Sequence, residues 1–107
     1  MGPLLLARIE FTKRIARLID KAFEMGYLAT AGDVFRDCRC PYGKKGSKHW
    51  DGLAIDLNLY TQDGVYLSDT RDHAALGAWW ESEMGGIWGG RWQDGNHYQA
   101  ADDGWMK

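Results

Sequence analysis

The chain has little cysteine and no long hydrophobic run, and both features exclude classes of protein. Its two cysteines, Cys38 and Cys40, are separated by one residue, so a disulfide between them would be strained. We therefore interpret them as free thiols in a reducing compartment. We do not expect them to bind a metal, because no further ligands accompany them at suitable spacing. The N-terminal apolar stretch, Leu4 to Ala7, is too short for a signal-peptide core or a membrane span. We therefore expect neither a signal peptide nor a membrane-spanning segment.

Dense basic patches interleaved with aromatic residues are also missing, so we do not expect nucleic acid as a partner. Charge is nevertheless divided unevenly along the chain. Residues 1–50 carry ten Lys or Arg and five Asp or Glu, whereas residues 51–107 carry three and ten. A basic first half could favour approach to an anionic polymer. Ordinary solvated helix charge is the alternative interpretation.

The length of 107 residues and the 45% hydrophobic content predict one folded domain, residues 1–107. Apolar spacing predicts an amphipathic helix over residues 4–25, ended by Gly26. An extended segment over residues 27–36 and a polar loop over residues 37–48 follow. Leu53, Ile55, Leu57 and Leu59 alternate with polar or small residues, which is typical of a strand with one buried face. Asp56 falls on the opposite face of this strand.

Turn and helix signals divide the rest of the chain into short elements. We predict a hairpin turn at Gln62–Gly64 with a return strand over residues 65–67. A helix capped by Ser68 or Asp69 should run to about Met84. Residues 87–92 are predicted to be extended, residues 94–96 to form a turn, residues 97–98 to begin a last strand, and the tail after Ala100 to be loose. Five of the six tryptophans follow residue 76, which predicts either ordinary core packing or an aromatic-lined groove.

Two imidazoles and two carboxylates provide the donor set of a catalytic zinc site. His49 precedes the strand that carries Asp56, and His97 lies on a distant strand, so the three could converge as metal ligands. Asp94, three residues before His97, is the candidate general base that accepts a proton from water. A role limited to capping a turn is the alternative for Asp94. This constellation favours a zinc hydrolase.

Four further polar residues lie near these positions in the sequence or could serve the same chemistry. Arg36 could bind a substrate carboxylate or a developing oxyanion through its guanidinium, although a surface role is an equal alternative. Ser47 and Asp51 flank His49 and could hold its ring by hydrogen bonds, or simply belong to a polar loop. His73, in the predicted second helix, is expected to be exposed or to cap the helix, and is not assigned to the metal.

The spacing of these residues resembles that of the zinc peptidase family of D-Ala-D-Ala carboxypeptidases, D-Ala-D-Ala dipeptidases and phage L-alanyl-D-glutamate endolysins. Its pattern Ser-x-His-x-x-Gly-x-Ala-x-Asp is matched in full within residues 47–56, and its acidic-x-x-His pattern by Asp94 and His97. The stretch over residues 88–97 is similar to the endolysin branch. So is the segment over residues 32–36, which ends in Arg36.

The resemblance implies a small α+β domain, with a central antiparallel sheet packed with helices, as in hedgehog and DD-peptidase domains. It implies Zn²⁺ held by His49, Asp56 and His97, with Asp94 as base and Arg36 near substrate. The implied substrate is the peptide stem of peptidoglycan, cut at the L-alanyl-D-glutamate bond. We expect a monomer, and we expect no separate wall-binding domain. Such an enzyme would act from the bacterial cytoplasm, or from the host cytoplasm after phage infection with release to the cell wall.

Two alternatives remain open from the sequence. A D-Ala-D-Ala carboxypeptidase or dipeptidase would use the same residues on a different bond. A non-catalytic module that uses zinc for stability and binds the cell wall belongs to another class, and a complete set of ligands and base argues against it.

Overall fold

A four-stranded antiparallel sheet lies at the centre of the structure, a computed structural model that describes residues 1–33 and 52–105. In chain order the strands are β1 (Leu28–Ala31), β2 (Ala54–Tyr60), β3 (Ile87–Trp88) and β4 (His97–Gln99), and in the sheet they follow the order β1-β2-β4-β3. Helices α1 (Pro3–Glu24) and α2 (Ala74–Glu83) pack with the sheet. This architecture confirms the expected α+β class with a small antiparallel sheet.

Helix α1 supplies one wall of the hydrophobic core, as its apolar spacing predicted. Phe11, Leu18 and Ala22 are buried along the face that meets the core. The helix ends at Glu24, and Gly26 just beyond it adopts a left-handed φ of 95° that residues with a side chain rarely occupy. Among the helices within residues 1–33 and 52–105, none combines the length and apolar character needed to cross a membrane.

Strand β2 divides the polar and apolar faces of the sheet. Ile55, Leu57 and Leu59 are buried in the core, whereas Asp56 and Asn58 are half-buried on the other face. The alternation follows from the twofold side-chain period of a strand, and it confirms the pattern predicted from the sequence. Strand β1 covers one edge of β2 and strand β4 the other.

Two predicted strands were wrong in extent. The segment after the turn at Gly64 returns to β2, but its strand pairing is an isolated bridge between Tyr60 and Tyr66. Residues 87–92 are extended only at Ile87–Trp88 and then form a 3-10 helix, Gly89–Trp92. Here the chain turns tightly against the indole of Trp88, whose ring leaves no space for a side chain at Gly90.

The predicted second helix is confirmed over most of its length but begins with a different geometry. Residues Thr70–His73 form a 3-10 turn, and α2 continues from Ala74 to Glu83. The Asp72 carboxylate accepts a hydrogen bond from the backbone N–H of Asp69 at 3.2 Å, which stabilises this start.

Aromatic side chains close the core at the end of the described chain. The Trp80 ring is fully buried and meets Phe11, Tyr98 and Trp105 edge-on, with ring centroids 6.2–6.3 Å apart. Trp105 also donates a hydrogen bond from its indole to the carbonyl of Met84 at 2.8 Å. The tail is therefore packed as far as Trp105, and the expectation of a loose tail was wrong there.

Candidate functional site

Strands β2 and β4 bring two of the expected metal ligands face to face. Asp56 and His97 are direct partners in the antiparallel register, although 41 residues separate them in sequence. Directly opposed residues place their side chains on the same face of the sheet. Nδ1 of His97 consequently lies 3.8 Å from Oδ1 of Asp56.

The candidate base approaches the same imidazole nitrogen from a turn. Oδ2 of Asp94 lies 3.9 Å from Nδ1 of His97, and the Asp94 side chain is 50% exposed. The backbone holds this turn at both ends, because the N–H of Asp94 donates to Gly89 at 3.0 Å and the N–H of His97 donates to Asp94 at 3.1 Å. The left-handed residue Gln93, with a φ of 64°, reverses the chain just before it. Asp94 thus combines access to solvent with a fixed position beside His97.

Close packing leaves the turn little freedom to move. A Cβ at Gly89 would lie 2.3 Å from the carbonyl oxygen of Asp94 and 2.8 Å from Cβ of His97. On the other side, the indole N–H of Trp88 donates to the carbonyl of Gly95 at 2.7 Å. Residue 89 therefore has to be a glycine, because the backbone of Asp94 and the side chain of His97 occupy the space that a Cβ would need.

The second nitrogen of His97 has a different partner. Nε2 of His97 lies 2.8 Å from Oε1 of Gln99, which follows two residues later on β4. The ring of Trp92 packs edge-on against His97 with centroids 5.6 Å apart, and Trp92 itself remains 49% exposed. His97 is therefore buried, at 8% side-chain exposure, and is fixed on several sides.

The surroundings of His97 favour positive charge at this point of the surface. Burial alone would lower the pKa of His97. The carboxylate of Asp56, the hydrogen bond with Gln99 and the negative charge of Asp94 act in the opposite direction and outweigh it. The pKa of His97 is raised as a result. A site that raises the pKa of an imidazole in this way also attracts a cation.

Several predicted site residues lie outside the described residues. They are Arg36, His49, Ser47 and Asp51, and their assignments stay predictions. The two cysteines and the polar loop over residues 37–48 also fall there. Within residues 1–33 and 52–105, no group of three or more His, Cys, Asp and Glu side chains is arranged to hold a metal ion. The described part of the proposed ligand set is the pair Asp56 and His97.

This pair suits zinc in chemistry and in spacing. Zinc accepts imidazole nitrogen and carboxylate oxygen at about 2.0–2.2 Å, so two ligands of one tetrahedral ion are about 3.3 Å apart. The 3.8 Å between Nδ1 of His97 and Oδ1 of Asp56 is within a few tenths of an ångström of that value. It is too long for a direct hydrogen bond between these two atoms. A small side-chain movement would complete the fit.

His73 is buried, so the expectation that it is exposed was wrong; it occupies the N-cap position of α2, but its side chain makes no capping hydrogen bond. Only 2% of His73 is exposed, and its Nδ1 lies 2.7 Å from the hydroxyl oxygen of Tyr98. Burial lowers the pKa of His73 to about 4, and the neighbouring Asp72 carboxylate opposes this only in part. Burial also raises the pKa of Tyr98. Both groups therefore stay neutral near pH 7 and share a hydrogen bond between the Tyr98 hydroxyl and Nδ1 of His73.

Sequence reasoning missed Gln99 as a candidate functional residue. Its position two residues after His97 on a strand places both side chains on one face, and that spacing was a usable signal. The sequence singled out Trp92 only as one of the five tryptophans after residue 76. The exposed ring of Trp92 beside His97 is consistent with an aromatic groove, whereas the buried Trp80 is consistent with ordinary core packing.

Comparison with known proteins connects this geometry to a family. A search of curated proteins returns no match for the chain. A protein-family model described as D-alanyl-D-alanine carboxypeptidase matches residues 42–100, more than half of the 107 residues. The matched region contains β2, the turn at Asp94 and β4. The chain therefore belongs to this D-alanyl-D-alanine carboxypeptidase family of peptidases.

Proposed function

We propose that the protein is a zinc-dependent peptidase that hydrolyses the peptide stem of bacterial peptidoglycan, at the L-alanyl-D-glutamate bond. The observation that carries the proposal is the convergence of Asp56, His97 and Asp94 on one face of the sheet. Membership of a peptidase family supports it, since the family match spans all three residues.

His49, Asp56 and His97 are the residues proposed to hold the ion. When bound, zinc would polarise the scissile carbonyl and make an attacking water more acidic. His49 joins the described pair through the family pattern, because it stands seven residues before Asp56 in the matched motif. Three protein ligands leave one position of a tetrahedral ion for solvent or substrate.

Asp94 has the position and exposure of a general base. Its carboxylate is half exposed and lies beside the proposed ligand His97, where it can accept the proton of an attacking water. The same carboxyl group can then donate this proton to the leaving amine, so that one residue serves as base and then as acid. The backbone hydrogen bonds of its turn hold Asp94 next to His97.

The remaining assigned residues are proposed to act on substrate and on ligand orientation. Arg36 would pair with a carboxylate of the stem peptide or stabilise the oxyanion through its guanidinium. Ser47 and Asp51 would orient the ring of His49 by hydrogen bonds.

A second candidate is cleavage of the D-Ala-D-Ala bond by the same residues. The description of the matched family, D-alanyl-D-alanine carboxypeptidase, favours it. The two reactions differ in whether the substrate must end in a free carboxylate next to the scissile bond. A comparison of substrates therefore decides which bond is cleaved, because both reactions would use the same residues.

Digestion of purified peptidoglycan with zinc-loaded protein, followed by mass analysis of the fragments, tests the proposal. L-alanyl-D-glutamate cleavage should leave L-alanine on the glycan and release peptides that begin with D-glutamate. Loss of a single terminal D-alanine would instead identify the carboxypeptidase. Intact stems in the presence of bound zinc would contradict both reactions and indicate a non-catalytic module.

The variant Asp94→Asn separates catalysis from metal binding. An amide keeps the size of the side chain but cannot accept the proton, so turnover should fall by about 10²–10⁴-fold. Zinc content should stay near that of the wild type, because Asp94 is not a proposed ligand. Unchanged turnover in Asp94→Asn would contradict its role as base.

A further inference from the structure

We propose that Gln99 is a positioning residue that selects the tautomer of His97 and directs Nδ1 of its ring toward the metal. This inference rests on the proposed function, because it assigns Gln99 a role toward the proposed zinc ligand. Gln99 touches neither the reacting atoms nor the ion in this role. Its effect passes through the imidazole.

The sheet geometry brings Gln99 to the far side of the His97 ring. The two residues are separated by one position on β4, so both side chains extend from the same face. Oε1 of Gln99 and Nε2 of His97 are 2.8 Å apart, a full hydrogen bond. Ala54 stands directly opposite Gln99 on β2, and its single methyl group leaves room for the longer side chain beside it.

The backbone of Gln99 is itself held in place. The indole N–H of the buried Trp80 donates to the carbonyl of Gln99 at 3.0 Å. On its other side Gln99 pairs with Ile87 of β3. A side chain that starts from so constrained a backbone can hold its partner in one orientation at a low cost in entropy.

The hydrogen bond determines which nitrogen is available. The amide oxygen of Gln99 can only accept, so Nε2 of His97 is the donor in this hydrogen bond and carries a proton. Nδ1 is the nitrogen that lies 3.8 Å from Asp56 and 3.9 Å from Asp94. Nδ1 is thus the nitrogen through which His97 would bind the ion, since imidazole binds a metal only through a nitrogen that carries no proton.

The experiment compares Gln99→Met, which keeps the length of the side chain and removes the acceptor, with Gln99→Glu, which restores an acceptor. Gln62→Met is the matched control, since Gln62 donates to the carbonyl of Gly26 on another part of the surface. Zinc affinity is measured by competition with a chelator. Long-range ¹H–¹⁵N spectra of the metal-free proteins report the tautomer of His97 at a pH where the ring is neutral.

We expect Gln99→Met to bind zinc about 10–100-fold more weakly and to lose the preference for a proton on Nε2. Gln99→Glu should recover most of the affinity and the tautomer, and Gln62→Met should match the wild type in both. Unchanged affinity and tautomer in Gln99→Met would overturn the inference, and so would a protonated Nδ1 in the wild type. A wild-type protein that binds no zinc would overturn the proposed function, while the tautomer spectra would still decide the hydrogen-bonding role of Gln99.

Discussion

Acidification should destabilise the fold through the buried His73. In the folded state the pKa of this residue is lowered from 6.5 to about 4 by burial. Between these two values the unfolded chain binds a proton that the folded protein excludes. The contribution of His73 to stability is therefore fully present above pH 6.5 and is lost as the pH drops from 6.5 to about 4.

The size of this effect follows from the two pKa values. One pKa unit corresponds to about 1.36 kcal/mol, so His73 should make the folded state about 3 kcal/mol less stable below pH 4 than above pH 6.5. The structural cause is specific. His73 is 2% exposed, so a proton on its ring would place a charge in the core, where the cost of burial outweighs the attraction of Asp72.

Urea unfolding, followed by tryptophan fluorescence at several pH values from 4 to 8, measures the dependence. The variant His73→Gln keeps a polar group near Tyr98 but cannot titrate. Its free energy of unfolding should fall less than that of the wild type between pH 6.5 and 4, by about 3 kcal/mol. Parallel curves for the two proteins would refute the reasoning, since His73 would then titrate equally in the folded and unfolded states.

Two glycine substitutions should separate core packing from site geometry. A Cβ at Gly77 would lie 2.1 Å from the ring of Trp88, so Gly77→Ala should lower the free energy of unfolding by about 1–3 kcal/mol in urea titrations. A loss below the error of those titrations would show that the ring moves freely. A Cβ at Gly89 would lie 2.3 Å from the carbonyl oxygen of Asp94, so Gly89→Ala should displace the turn and reduce peptidase activity at least tenfold. Wild-type activity in Gly89→Ala would contradict the view that this turn is closely packed.

The sequence predicted the elements of the fold correctly where apolar residues recur with a single clear periodicity. The alternation in β2 identified its buried leucines and its polar face, and Gly26 marked the end of α1. Prediction failed where distant contacts decide the backbone. The 3-10 turn at Gly89–Trp92 depends on the Trp88 ring, and the packed tail depends on the contact of Trp105 with the core.

The candidate site was predicted in part, and for a different reason. The pairing of Asp56 with His97 depends on a register between strands far apart in sequence, which residue spacing alone does not define. The resemblance to the zinc peptidase family, which groups Asp56 and His97 as ligands of one ion, predicted that the two residues meet. Gln99 was missed because a hydrogen bond between neighbouring side chains on a strand depends on their rotamers as well as their shared face.

The direct pairing of Asp56 with His97 also determines where the chain can tolerate a change in length. One residue inserted into β2 or β4 would shift the alternation and send one of the two side chains to the opposite face of the sheet. An insertion in the exposed turn around Gly64, where a Cβ would meet open space, leaves that pairing intact. Insertions for fusion or labelling are therefore best placed at this turn, whereas β2 and β4 must keep their number of residues.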